Sequence, residues 1–316
     1  MNLYAHVAEA VAAPAGLILV GFVTRRLGWF RAEADASLAT LSIRLLYPCF
    51  ILRHLTDHEA LSNLAGLWVA PAFGFLAILA GFLISGAMAR FIGLKNEEFR
   101  TFTFSAGIFN YGFFAFPVGE SLFGEEFLGK LILFNLGVEV AIWTVGIVLL
   151  LGKKPGLGRL LNPPTVAIAG AWALTSWGGW EAAPCFAFSV VDALAACAIP
   201  VGLLLIGGSV SELLKERNHG GNLKVELAGI CSRLVLVPAV LVGAAAWVPF
   251  APEVEWLRHT LVVQAAMPAG VFALVVVKSY GGDALVALRV ILATMAGCIL
   301  TLPFWLALGL KLTGSE

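Results

Sequence analysis

Charge is what this sequence has least of. Lys, Arg, Asp and Glu make up 13% of its 316 residues, against roughly 25% in a soluble domain. Hydrophobic residues supply 60%, and mean hydropathy is +0.92. The chain therefore reads as a polytopic membrane protein whose surroundings are a lipid bilayer. Basic and acidic residues balance at 20 each, so no cationic surface points to nucleic acid. The cysteines, Cys49, Cys185, Cys197, Cys231 and Cys298, form no C-x-x-C pair. That removes zinc and thioredoxin-like readings and leaves them as small apolar side chains. H-E-x-x-H, G-x-S-x-G and phosphate-loop motifs are missing too. No metal or cofactor is expected, an enzyme has no evident centre, and a self-powered pump lacks its nucleotide loop. His54 and His58 stand four apart, but two nitrogens at the polar end of a span make a poor metal site. No basic residue precedes the first apolar run, so a cleaved signal peptide is not expected.

What is present is a series of long apolar runs. Candidate spans of about 20 residues, the length a helix needs to cross, fall near 8–26, 37–56, 64–92, 99–121, 127–151, 163–180, 186–211, 225–248, 256–279 and 284–310. Lys and Arg collect in alternate loops: Arg25, Arg26 and Arg31; Arg90, Lys95 and Arg100; Lys153, Lys154 and Arg159; Lys215, Arg217 and Lys224. Cytoplasmic loops gather such residues, so both termini are expected on the non-cytoplasmic side of the cell membrane. The chain also repeats itself. Ser121-Leu122-Phe123-Gly124-Glu125 resembles Ser279-Tyr280-Gly281-Gly282-Asp283, and Pro14–Gly21 weakly resembles Pro164–Gly170. Five spans per half is an odd number, so the second copy enters from the opposite side. That predicts an all-α, 5+5 inverted-topology repeat, common in secondary transporters. The halves are residues 1–154 and 155–316, joined by the short basic link from Lys153 to Asn162.

Two spans carry residues that do not suit an unbroken helix. The fourth contains Asn110-Tyr111-Gly112-Phe113-Phe114-Ala115-Phe116-Pro117, and the ninth contains Gln264-Ala265-Ala266-Met267-Pro268-Ala269-Gly270. Proline removes a backbone donor and clashes with the preceding turn. In hydrocarbon a broken helix survives only where its freed groups face protein or water. A pair of such interruptions at corresponding positions points to a transporter binding site. Asn110 and Gln264 supply amides, Gly112 permits close backbone approach, and Pro117 and Pro268 fix the breaks. Half-helix ends favour a carboxylate without a cation in mid-membrane. Ionisable residues inside spans default to a functional reading with a partner: Arg44, Glu139, Asp192 and Arg233. Glu139 follows Asn135 by one helical turn, so both share a face. For each, a structural ion pair or snorkelling to the interface is the plainer alternative. Lys278, near the inner interface, is also explained by snorkelling.

These residues resemble the auxin efflux carrier family of permeases, in its bacterial branch. Asn110 with Pro117 matches the family's N-x(6)-P pattern. Met267-Pro268-Ala269-Gly270 through Lys278-Ser279-Tyr280 resembles its proline-centred crossover. Leu45-Leu46-Tyr47-Pro48 and Asn162-Pro163-Pro164 resemble its second-span and second-half motifs. The resemblance covers essentially the whole chain. It implies crossing, unwound spans four and nine, with Tyr47, Pro48 and Met267 joining the site. It implies a scaffold of helices 1, 2, 6 and 7, a transport domain of helices 3–5 and 8–10, a homodimer, and a small organic anion as cargo. Bacterial members point to malate, malonate or similar carboxylates, and plant members to an indole acid. Arg44, Glu139, Asp192 and Lys278 become candidates for charge coupling or gating. Plant members carry an acid in the third span; here Val69 to Ala89 holds no charged residue. An intramembrane enzyme or a sensor is the remaining alternative.

Overall fold

The computed structural model describes residues 3–56, 64–152, 163–216 and 222–314. It is helical nearly throughout. The first half contains α1 (Leu3–Arg26), α2 (Asp35–Leu41), α3 (Tyr47–Leu55), α4 (Leu64–Phe91), α5 (Asn96–Gly107), α6 (Ala115–Phe123), α7 (Glu126–Ala141) and α8 (Ile147–Leu151). The second contains α9 (Pro163–Ser176), α10 (Cys185–Glu216), α11 (Leu223–Cys231), α12 (Val237–Trp247), α13 (Leu257–Ala266), α14 (Phe272–Tyr280) and α15 (Ala284–Leu312). Helix thus occupies each stretch where an apolar run is expected. Six helical stretches among the described residues are long and apolar enough to cross a bilayer unaided. The pairs α5/α6 and α13/α14 are different: each is a helix cut in two by non-helical backbone. The link from Lys153 to Asn162, His58, and the side chain of Lys278 lie outside the described residues.

The outer surface is apolar. Trp29, Trp68, Trp177 and Trp247 are strongly exposed, and each lies at or near a helix end, where a membrane–water interface favours an indole. Cys185 and Cys197 are exposed rather than buried; the expectation of buried thiols holds for Cys49 and Cys298. Without a hydrophobic drive between helices in lipid, close packing depends on small residues. A Cβ added at Gly137 of α7 would lie 1.7 Å from the Pro71 carbonyl of α4. One added at Gly207 of α10 would lie 2.0 Å from the Ile18 carbonyl of α1. Backbone meets backbone at both places, which is why the sequence has glycine there.

Three spans pass through a π-helical turn: Ser42–Leu46, Ile142–Gly146 and Ser232–Leu236. Two of these precede a proline, Pro48 and Pro238. A proline cannot donate to the carbonyl four residues back, and in an apolar interior that carbonyl needs another partner. For Pro238 the freed carbonyl is Leu234, and the Trp305 indole of α15 donates to it at 2.7 Å. Trp305→Phe should keep the ring packing yet strand this oxygen, costing about 1–3 kcal/mol. Thermal unfolding in detergent, compared with Trp305→Phe in a Pro238→Ala background, checks this. An equal loss in both backgrounds would contradict the assignment.

Candidate functional site

The two interruptions meet. Between α5 and α6 the chain is non-helical at Ile108–Phe114, and between α13 and α14 at Met267–Val271. The Asn110 amide donates to the Pro268 carbonyl at 2.9 Å, and the Gly270 amide donates to the Ile108 carbonyl at 2.9 Å. Phe109 and Ala269 form an isolated antiparallel bridge. Each broken segment therefore satisfies backbone groups of the other. The Ala269 amide is completed by Thr294 Oγ1 of α15 at 3.2 Å. Pro117 falls in the first turn of α6, where the missing N–H has no intrahelical partner to lose. Pro268 and Met267 are buried in the break itself.

Polar side chains surround this junction in a region that excludes solvent. Asn135 Nδ2 donates to the Tyr111 carbonyl at 2.9 Å, and Gln264 Nε2 donates to Asn135 Oδ1 at 3.0 Å. Tyr111 Oη donates to Glu139 Oε1 at 2.6 Å, and Trp143 Nε1 donates to Oε2 at 2.8 Å. Tyr47 faces Asn135 and Glu139 from α3. A Cβ on Gly112 would stand 3.3 Å from the Tyr47 hydroxyl, so glycine lets this phenol close on the break. Tyr47 also packs with Phe113 and Phe116, both at 6.0 Å between centroids. Among the amide side chains here, Asn110 Nδ2 and Gln264 Oε1 have no hydrogen-bond partner. They are a donor and an acceptor set beside the junction and left unspent.

The structure gathers Asn110, Gly112, Gln264, Met267, Pro268, Tyr47 and Glu139 around the junction. Pro48 is half-buried at the start of α3, beside Tyr47. Arg44 and Asp192 are not gathered there. Arg44 is exposed in its π-helical turn. Asp192 pairs with Arg53 at 2.7 Å, and Arg53 also reaches Glu125 at 3.5 Å. That ties α3 and α10 to the loop before α7, so the plainer ion-pair alternative describes Asp192. Tyr111, Trp143 and Thr294 were not singled out by sequence. Only the i, i+4 spacing of Asn135 and Glu139 hinted at a shared polar face. Arg233, visible as a charge within a span, is brought to the junction as well. A cavity of about 520 Å³ lies between α1, α10 and α15, lined by Ile18, Phe22, Val210, Leu288 and Leu292 and touched by Phe114 of the first break. Asn110 and Gln264 do not line it.

A helical, lipid-facing molecule with two mutually bonded broken helices at its centre has the anatomy of a membrane transport protein. The comparisons agree. The chain matches the family model described as "Membrane transport protein" over residues 6–158 and 147–306. It belongs to that family, the auxin efflux carrier family whose motifs it carries. It is 23% identical over 302 residues to an uncharacterized transporter of Methanothermobacter thermautotrophicus, covering 94% of this chain and 96% of that one. It is also 23% identical over 301 residues to an uncharacterized transporter of Methanocaldococcus jannaschii, covering 92% of this chain and 94% of the other.

The hydrogen bonds of Glu139 make a specific expectation. Tyr111→Phe removes one donor from a buried carboxylate, a loss of about 1–3 kcal/mol. In a double-mutant cycle with Glu139→Gln the two changes should couple by about 0.5–3 kcal/mol. Unfolding of the purified single and double variants measures this; strictly additive losses would mean that the contact carries no energy.

Proposed function

We propose that this membrane transport protein is a secondary transporter that moves a small organic carboxylate, such as malate or malonate, by alternating access about the junction of the two breaks. The observation that carries the reading is the junction itself. Two interrupted helices spend their backbone bonds on each other and leave the buried Asn110 amide donor unspent. The architecture we propose is ten transmembrane helices in a 5+5 inverted repeat. Helices 1, 2, 6 and 7 form a scaffold, and helices 3–5 and 8–10 a transport domain. In support, the second pieces of both broken helices end at a positive-φ glycine, Gly124 and Gly281, within the segments that resemble each other in sequence. Both termini lie on the non-cytoplasmic side, and the working unit is a homodimer. Substrate contacts fall to Asn110, Gly112, Gln264, Tyr47 and the backbone around Met267 and Pro268, with Pro48 and Pro117 shaping the adjoining helix starts. Glu139 acts in charge coupling. Arg44 and Lys278 assist entry of the anion, and the Asp192–Arg53 pair acts as a gate. An indole acid is the second cargo, favoured by the aromatic packing of Tyr47, Phe113 and Phe116 near Asn110.

The test is thermal stabilisation of purified protein by a panel of mono- and dicarboxylates and indole acids. A ligand at a hundredfold excess over its Kd adds about 2.7 kcal/mol to the folded state. Dicarboxylates should stabilise the wild type, and Asn110→Ala should weaken their binding about tenfold while the protein stays folded. Unchanged affinity in Asn110→Ala would remove the site from the junction. Stabilisation by indole acids alone would transfer the reading to the second cargo.

A further inference from the structure

Arg233 is a wholly buried cation. It projects from the π-helical turn between α11 and α12. Its Nη2 donates to the carbonyls of Ala265 at 3.0 Å and Gln264 at 3.4 Å. Its guanidinium lies 5.2 Å from the centroid of Phe109. One side chain therefore touches both broken segments. Nε and Nη1 have no hydrogen-bond partner, and among the described residues no carboxylate pairs with it.

The two carbonyls belong to the last turn of α13, immediately before its break. A helix that ends inside an apolar interior leaves carbonyls unbonded and carries partial negative charge. In transporters built on discontinuous helices, unwound carbonyls and half-helix C-terminal ends are where a coupling cation binds. Here a side chain holds that place. We propose that Arg233 is a built-in counter-ion, standing at the C-terminal carbonyls of α13 where a coupling alkali cation would otherwise bind, so that this protein works without sodium. The guanidinium supplies the charge, its reach to Phe109 holds both breaks together, and the unspent N–H groups of Nε and Nη1 keep the surroundings favourable to a negative guest. The word "coupling" rests on the transporter reading. The occupancy of the carbonyls does not, and can be tested without any cargo.

The experiment compares purified protein in sodium chloride and in choline chloride at equal ionic strength. Wild-type Tm should be the same in both salts. Arg233→Ala should lose Tm in choline and regain it in a concentration-dependent manner with sodium or guanidinium, either of which binds the folded state only. Arg233→Gln, which keeps an amide donor, should behave the same way and serves if the alanine variant does not fold. Arg233→Lys, which keeps the charge, should show no response to sodium. In the neutral variants carboxylate affinity should fall about tenfold in choline and recover in sodium, an ordinary size for linked sites. Sodium stabilisation of the wild type would overturn the proposal. So would a folded neutral variant indifferent to both cations, because Arg233 would then be packing alone. Absent carboxylate binding with these ion responses intact would sink the cargo assignment and leave this one standing.

Discussion

A peptide group stranded in the interior of a bilayer must find a partner, and this requirement governs the molecule more than any other. Ordinary spans meet it with their own ladders. The interesting places are those where the ladder is cut. At the junction the cut segments bond to each other through Asn110 and Pro268, and through Gly270 and Ile108. At Pro238 the orphaned Leu234 carbonyl is taken by Trp305. At the end of α13 the Gln264 and Ala265 carbonyls are taken by Arg233. Each cut has a different solution, and each solution comes from a distant part of the chain. The cost of leaving one such group unpaired, several kcal/mol in hydrocarbon, explains why neither break can exist without the other.

The same bonds decide what can move. Because the breaks share backbone hydrogen bonds, they form one unit, and Asn135 and Gln264 lock it to α7 and α13. The side chains that extend from this unit toward α3, Phe113 and Phe116, meet Tyr47 through aromatic and van der Waals contacts. Such contacts are individually weak and reform readily. Glycine contacts are close on every side of it: Gly137 seals α4 to α7, Gly207 seals α1 to α10, and a Cβ on Gly202 of α10 would stand 2.1 Å from the Phe113 ring of the first break.

Much of this was legible in the chain. Long apolar runs locate the helices, because nothing else in a sequence of this composition could bury or face lipid. Asn110, Gly112 and Pro117, and Gln264, Pro268 and Gly270, mark the breaks, because these residue types are costly in an uninterrupted span. What could not be read is partnership across distance. The i, i+4 spacing of Asn135 and Glu139 gives a common face but says nothing of Tyr111 opposite. Asp192 looks like a coupling acid until Arg53, 139 residues away in sequence, claims it. Arg44 is visible as a charge within a span, but its exposure in a π-helical turn is not. Arg233 is the clearest case. Its partners are backbone carbonyls, which have no sequence identity at all, so an ion pair or snorkelling to the interface was the plainer expectation.

The placement of opposite charges around the first break has a consequence of its own. Phe109 meets Arg233, Asn110 carries the unspent amide, and Tyr111 meets Glu139. Three successive residues thus meet a guanidinium, carry an unspent amide, and meet a carboxyl group. A direct Arg233–Glu139 bridge would neutralise both charges, but breaking a buried pair costs about 3–5 kcal/mol. It would also fasten α7 to the turn between α11 and α12. Here each group is bonded to neutral partners instead: carbonyls for Nη2 of the arginine, a phenol and an indole for the glutamate. The break is consequently held in place by bonds that carry no mutual charge, and it can shift without tearing an ion pair apart. Between them the Asn110 amide remains available, and a negative group that approached it would be drawn toward the Arg233 side.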